Sequence, residues 1–207
     1  MEKLHHLVLM SYWRPVSNWF VGYLRENNVK KIAYIMNADR QRLAENNDFV
    51  FYDFDFFQNS GFEVDLVDLD KEKDLVNVFK DKDLIYVRGG NTFELLDSVR
   101  NSGFDSLLPK LLESGVIYAS SSAGSILPGP SIEIADNDFA PDYNSVGLKD
   151  MTGLGLVDFA IFPHWEERWR QKLNLLKSER KVNYPVKTLV DNQVVIIKNG
   201  KEEFLSI

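Results

Sequence analysis

The chain has no cysteine, which removes disulfide scaffolds, thiolate metal sites and a cysteine nucleophile together. It has only three histidines, His5, His6 and His164, so chemistry that needs an imidazole has few places to be. No run of 18 apolar residues occurs, and the apolar stretch within Met1–Met10 is too brief for a signal segment with its cleavage site. A cytoplasmic location is the expectation. Basic residues are outnumbered, 24 Lys and Arg against 31 Asp and Glu, giving a formal charge of −7. Such a surface repels phosphate backbones and anionic lipid. The basic clusters Lys30-Lys31 and Arg168-Trp169-Arg170-Gln171-Lys172 are too short to track a nucleic-acid strand and read as solvated helix faces. Neither nucleic acid nor a membrane is therefore an expected partner, while a homodimer is left open. Neither Gly-x-Gly-x-x-Gly nor a P-loop is present, which leaves no nucleotide fingerprint.

What is there suits one packed domain over residues 1–207. The length of 207 residues and the 44% hydrophobic and 13% aromatic content are enough for a sizeable core. Short apolar runs rich in Val, Ile, Tyr and Phe recur at Leu4–Met10, Lys31–Met36, Phe62–Leu69, Asp83–Val87, Val116–Ala119, Phe159–Phe162 and Val194–Lys198. Continuous runs, rather than strict alternation, predict strands covered on both faces. Helical periods fall between them at Val16–Asn27, Glu94–Asn101 and Phe104–Ser114. This order predicts an α/β fold with a mainly parallel, doubly wound sheet in three layers, and a site at the carboxyl ends of the strands. Leu127–Gly155 breaks the pattern with Pro128, Pro130 and Pro141. A long irregular excursion inside a compact domain tends to be functional.

Three turns at the predicted sheet edge can carry chemistry. Val116-Ile117-Tyr118-Ala119 runs into Ser120-Ser121-Ser122-Ala123-Gly124, where small residues permit the sharp strand-to-helix turn that presents a nucleophile. Ser122 is then the nucleophile. The bland reading of the same turn is a helix cap or an anion site. Arg88-Gly89-Gly90-Asn91-Thr92 follows another strand; glycine lets main-chain amides approach a ligand, so Gly89 or Gly90 supplies one oxyanion donor and Ala123 the other. A serine hydroxyl needs a base. His5 and His6 sit in the first strand, which leaves His164, in Phe162-Pro163-His164-Trp165. For the acid that orients the imidazole, Asp136, Asp138, Glu166, Glu167 and Asp191 are all available, and the sequence alone does not choose. No metal or organic cofactor is called for.

Taken together, the turns resemble peptidase family S51, which holds aspartyl dipeptidase (dipeptidase E) and cyanophycinase within the class I glutamine-amidotransferase-like superfamily. The match rests on Gly89-Gly90-Asn91-Thr92-Phe93 with Leu95-Leu96, on Ser122-Ala123-Gly124, on Pro130-Ser131-Ile132 with Asn137-Asp138, and on Pro163-His164 before an aromatic residue. The resemblance implies a flavodoxin-like fold and a serine-type peptidase of small peptides. The catalytic residues it implies are Ser122, His164 and Asp138, with Asp136 as alternative acid and the amides of Gly90 and Ala123 as oxyanion donors. The family is also read with a later acid in the triad, for which Asp191 is put forward. It further implies a preference for an N-terminal acidic residue, with Arg88, Arg168 and Arg170 as candidate cations. Two departures stand out: Ser120 occupies a position where the family usually has glycine, and the chain is too short for a cyanophycinase-like elaboration. A binding protein without activity, and an esterase or amidase with the same triad, are the competing readings.

Overall fold

A computed structural model describes residues 5–40, 52–136, 142–178 and 182–207. The first strand, β1 (His6–Met10), leads through Ser11 into α1 (Trp13–Glu26), and β2 (Lys31–Ile35) follows. Then come α2 (Tyr52–Asn59), β3 (Glu63–Val67), α3 (Leu75–Phe79), β4 (Leu84–Val87), α4 (Thr92–Ser102) and α5 (Phe104–Glu113). The strand β5 (Ile117–Ser121) turns directly into the one-turn helix α6 (Ala123–Ile126). After the irregular stretch lie β6 (Ala160–Phe162), α7 (Arg170–Ser178), β7 (Val186–Thr188), β8 (Gln193–Lys198) and β9 (Lys201–Ser206).

Seven strands form the main sheet in the order β3-β2-β4-β5-β1-β8-β9. The first five run parallel, while β8 and β9 add an antiparallel margin. The doubly wound, mainly parallel α/β architecture predicted from the strand-helix alternation is thus present. Its physical basis is visible in single strands: in β4 Leu84 and Tyr86 enter the core under α1 and α2, whereas Ile85 and Val87 enter the core under α4 and α5. A strand buried on both sides has no room for polar alternation. The edge strand β3 and the outer β9 depart from this, with Glu63, Asp65 and Leu66, and Lys201 through Phe204, exposed.

Local caps set both ends of α4. Asn91 accepts hydrogen bonds from the amides of Phe93 and Glu94 at 2.9 and 3.1 Å and starts α4. Gly103, in the left-handed region at φ 77°, ends it. Among the described residues a second sheet is formed by β6 and β7, paired in parallel with Phe162 opposite Thr188. β7, β9, α2 and α3 were not among the predicted elements. Among the described residues no helix is long and apolar enough to cross a membrane.

Candidate active site

The crevice opens where β1, β4 and β5 end. β5 stops at Ser121, and Ser122 takes φ 50° and ψ −117° before α6 begins. A β-carbon at positive φ is strained and persists only where its surroundings hold it. Those surroundings are bonds on both sides of the turn. The Ser122 amide donates to the carbonyls of Met10 and Ser11 at 3.1 Å each, and its carbonyl accepts from the amides of Ser125 and Ile126 at 2.8 and 3.2 Å. Gly124 is required by close approach: a Cβ there would lie 2.5 Å from the Val87 carbonyl oxygen.

Ser120, the departure beside the elbow, is fully buried. Its hydroxyl meets that of Ser125 at 3.0 Å, and Ser125 in turn donates to the Met10 carbonyl at 2.8 Å. The larger side chain is therefore absorbed beneath the turn and does not intrude on the crevice.

Gly89 and Gly90 form the wall facing Ser122. A Cβ on Gly89 would lie 2.7 Å from the Ser122 Cβ, and one on Gly90, at φ 153°, would lie 2.2 Å from the Ala38 carbonyl oxygen. Only glycine allows this backbone to pass so close. Among the described residues, the amides of Gly90 and Ala123 are used by none of the turn and cap bonds that organise this wall.

The facing wall carries the imidazole. His164 follows β6 and Pro163, itself at φ 53°. Its Nε2 stands 3.0 Å from Ser122 Oγ, and its Nδ1 stands 2.6 Å from Asp191 Oδ1. The carboxylate beside the imidazole is thus Asp191. Of the two acids favoured in the sequence, Asp138 lies outside the described residues, and Asp136 ends a 3-10 turn with its side chain exposed. Glu166 and Glu167 pair with Arg168 and Arg170 on the surface. Asp191 reaches His164 because β7 pairs with β6 and the chain then keeps alongside: the Leu189 amide donates to the Phe162 carbonyl, and the Trp165 amide to the Leu189 carbonyl, both at 2.9 Å.

Ser11 joins the two walls. Wholly buried after β1, its Oγ donates to the Leu189 carbonyl at 3.0 Å and accepts from the His164 amide at 2.7 Å. Nothing in its sequence context, a serine after a buried strand, marks it.

Two recesses flank Ser122 and His164. The first, about 280 Å³, is lined by Tyr12, Arg14, Tyr52, Asp53, Arg88 and the Gly89-Gly90 turn. The half-buried Arg88 has its Nε 3.4 Å from Oδ1 of the buried Asp53, and burial raises the Asp53 carboxyl above the usual range while the Arg88 charge opposes the rise. Of the three candidate cations, Arg88 alone lines this cleft; Arg14, at its rim, stacks over Tyr52 at 4.9 Å. The second recess, about 200 Å³, is mostly apolar; among the described residues it is formed by Ile126, Ile134, Ala135, Phe162, Pro163 and one carboxylate, Asp142, beside Ser122 and His164. Among the described residues no three His, Asp or Glu side chains are grouped to hold a metal ion.

The family model described as peptidase family S51 matches residues 7–205. An uncharacterized peptidase of Pasteurella multocida is 26% identical over 200 residues, covering 93% of each chain. Peptidase E of a Nostoc species is 28% identical over 170 residues, covering 77% of this chain and 65% of its own. Among solved structures, a peptidase E candidate from Listeria monocytogenes superposes with a TM-score of 0.81 at 23% identity, over 98% of both chains. A peptidase from an acI-B1 actinobacterium gives 0.74 at 16% identity, over all of this chain and 89% of its own. These two structures share the fold, and the family match covers nearly the whole sequence; the chain belongs to peptidase family S51.

Proposed function

We propose that this protein is a serine-type peptidase acting on small peptides through an acyl-enzyme at Ser122. The observation that carries the reading is the line Ser122 Oγ–His164 Nε2–Asp191 Oδ1, with contacts of 3.0 and 2.6 Å, set on a strained strand-to-helix turn. Serine is a weak nucleophile unless a base takes its proton as it attacks. His164 Nε2 is placed to take it, and Asp191, accepting from Nδ1–H, fixes the tautomer and stabilises the imidazolium that forms. The amides of Gly90 and Ala123 receive the oxyanion of the tetrahedral intermediate, where prearranged donors act most strongly. Collapse breaks the C–N bond as His164 returns the proton to the leaving amine. Water then attacks the ester with His164 again as base, releasing the acid and restoring Ser122.

The cleft at Arg88 and Arg14 is suited to an acidic group of the peptide, which agrees with the acidic N-terminal preference the family implies. A fluorophosphonate probe tests the mechanism: Ser122 is modified, and modification is lost in a folded His164→Ala variant. An unmodified Ser122, under conditions where a known serine hydrolase labels fully, would remove the nucleophile and with it the reading.

A further inference from the structure

The second recess holds a charged group that the triad does not use. Asp142 belongs to the irregular segment, and its Oδ2 accepts from both the amide and the hydroxyl of Thr92, the amide at 2.7 Å. Among the described residues Oδ1 accepts no hydrogen bond. The side chain lines the same hollow as Ser122 and His164, whose other walls here are Ile126, Phe162 and Pro163. Burial pushes the Asp142 carboxyl above the usual range, the Thr92 donors and the His164 charge pulling against it. A half-buried carboxylate with one idle oxygen in an apolar recess is poorly compensated. A cationic donor entering the recess would supply the missing partner.

The chemistry at Ser122 indicates which cation fits. In a peptide cut after its first residue, the α-ammonium is borne by the carbon next to the carbonyl under attack, so it must sit close to Ser122 Oγ. We propose that Asp142 is the residue that recognises the free α-ammonium of the substrate, making the enzyme an aminopeptidase-type exopeptidase by charge as well as by shape. This rests on the serine-peptidase reading above. The same contact has a second consequence, because Thr92 and Asn91 directly follow the Gly90 amide: ammonium bound at Asp142 is held by the element that also carries an oxyanion donor.

The test compares two p-nitrophenyl esters that differ only in the α-ammonium, those of alanine and of propionic acid, on the wild-type protein and on Asp142→Asn. Asparagine keeps an oxygen for Thr92 and removes the charge. The alanyl ester is expected to lose about 10- to 100-fold in kcat/KM, the worth of one charged hydrogen bond, while the propionyl ester changes by less than about threefold. Equal losses on both esters would reduce Asp142 to a structural support of Thr92, and no loss on either would remove it from substrate binding. Should Asp142→Asn fail to fold, Asp142→Ser carries the same comparison. A wild-type protein that labels at Ser122 yet turns over both esters equally overturns this proposal alone; one that neither labels nor hydrolyses either ester overturns the serine-peptidase reading beneath it.

Discussion

The two walls of the crevice are held in different ways. The nucleophile wall is part of the main sheet: β4, β5 and β1 run side by side beneath it, and Gly89, Gly90 and Gly124 bring backbone against backbone at distances that admit no side chain. The base wall stands on the two-stranded sheet of β6 and β7, and Ser11 is its hydrogen-bonded link to the end of β1. The first wall adds steric exclusion to its backbone bonds, while the second rests on a few directed bonds. Damage should therefore read out differently, as lost folding stability on the first wall and as lost rate in a folded protein on the second.

The largest effect is expected at Asp191. Asp191→Asn leaves the exposed end of the triad in place but no longer favours the tautomer that accepts from Ser122, so peptide hydrolysis should fall about 10³- to 10⁴-fold, with the thermal midpoint almost unchanged. Asp136→Asn is the control, and a comparable loss there would move the acid back to the irregular segment. On the opposite wall, Gly124→Ala drives a methyl toward the Val87 carbonyl. It should cost about 3 kcal/mol in a urea titration, toward the upper end for overpacking; an unchanged midpoint would mean that the elbow is not sterically fixed. The smallest effect belongs to Ser11→Ala, which removes one bond donated to Leu189 and one accepted from His164. A fall of about tenfold in kcat at constant KM is the expected outcome, the modest net worth of the two bonds together. A parallel loss on both walls, seen as unfolding, would erase the difference between them.

The same contrast explains what the sequence could reveal. Ser122, Gly90, Gly124 and the strands beneath them announce themselves because a buried parallel strand must be continuously apolar and a tight strand-to-helix turn must be small. His164 was identifiable because histidine is scarce. Asp191 stands in the sequence as one acid among several, and Ser11 and Asp142 not at all, since their roles depend on β7 lying beside β6 and on the irregular segment reaching Thr92, contacts 27, 153 and 50 residues apart along the chain. The three-residue strand β7 has too little apolar pattern to show itself, and β9, exposed along most of its length, lacks the buried face that marks the others.

Ser120 changes how neighbouring positions can vary. Ser125 directs its proton to the Met10 carbonyl, so the proton between the two hydroxyls must come from Ser120. Glycine at 120 would vacate the space and leave the Ser125 oxygen without its donor, while an apolar residue at 125 would remove the hydroxyl that Ser120 meets at 3.0 Å. The two hydroxyls act as one unit, and each serine makes the other harder to replace.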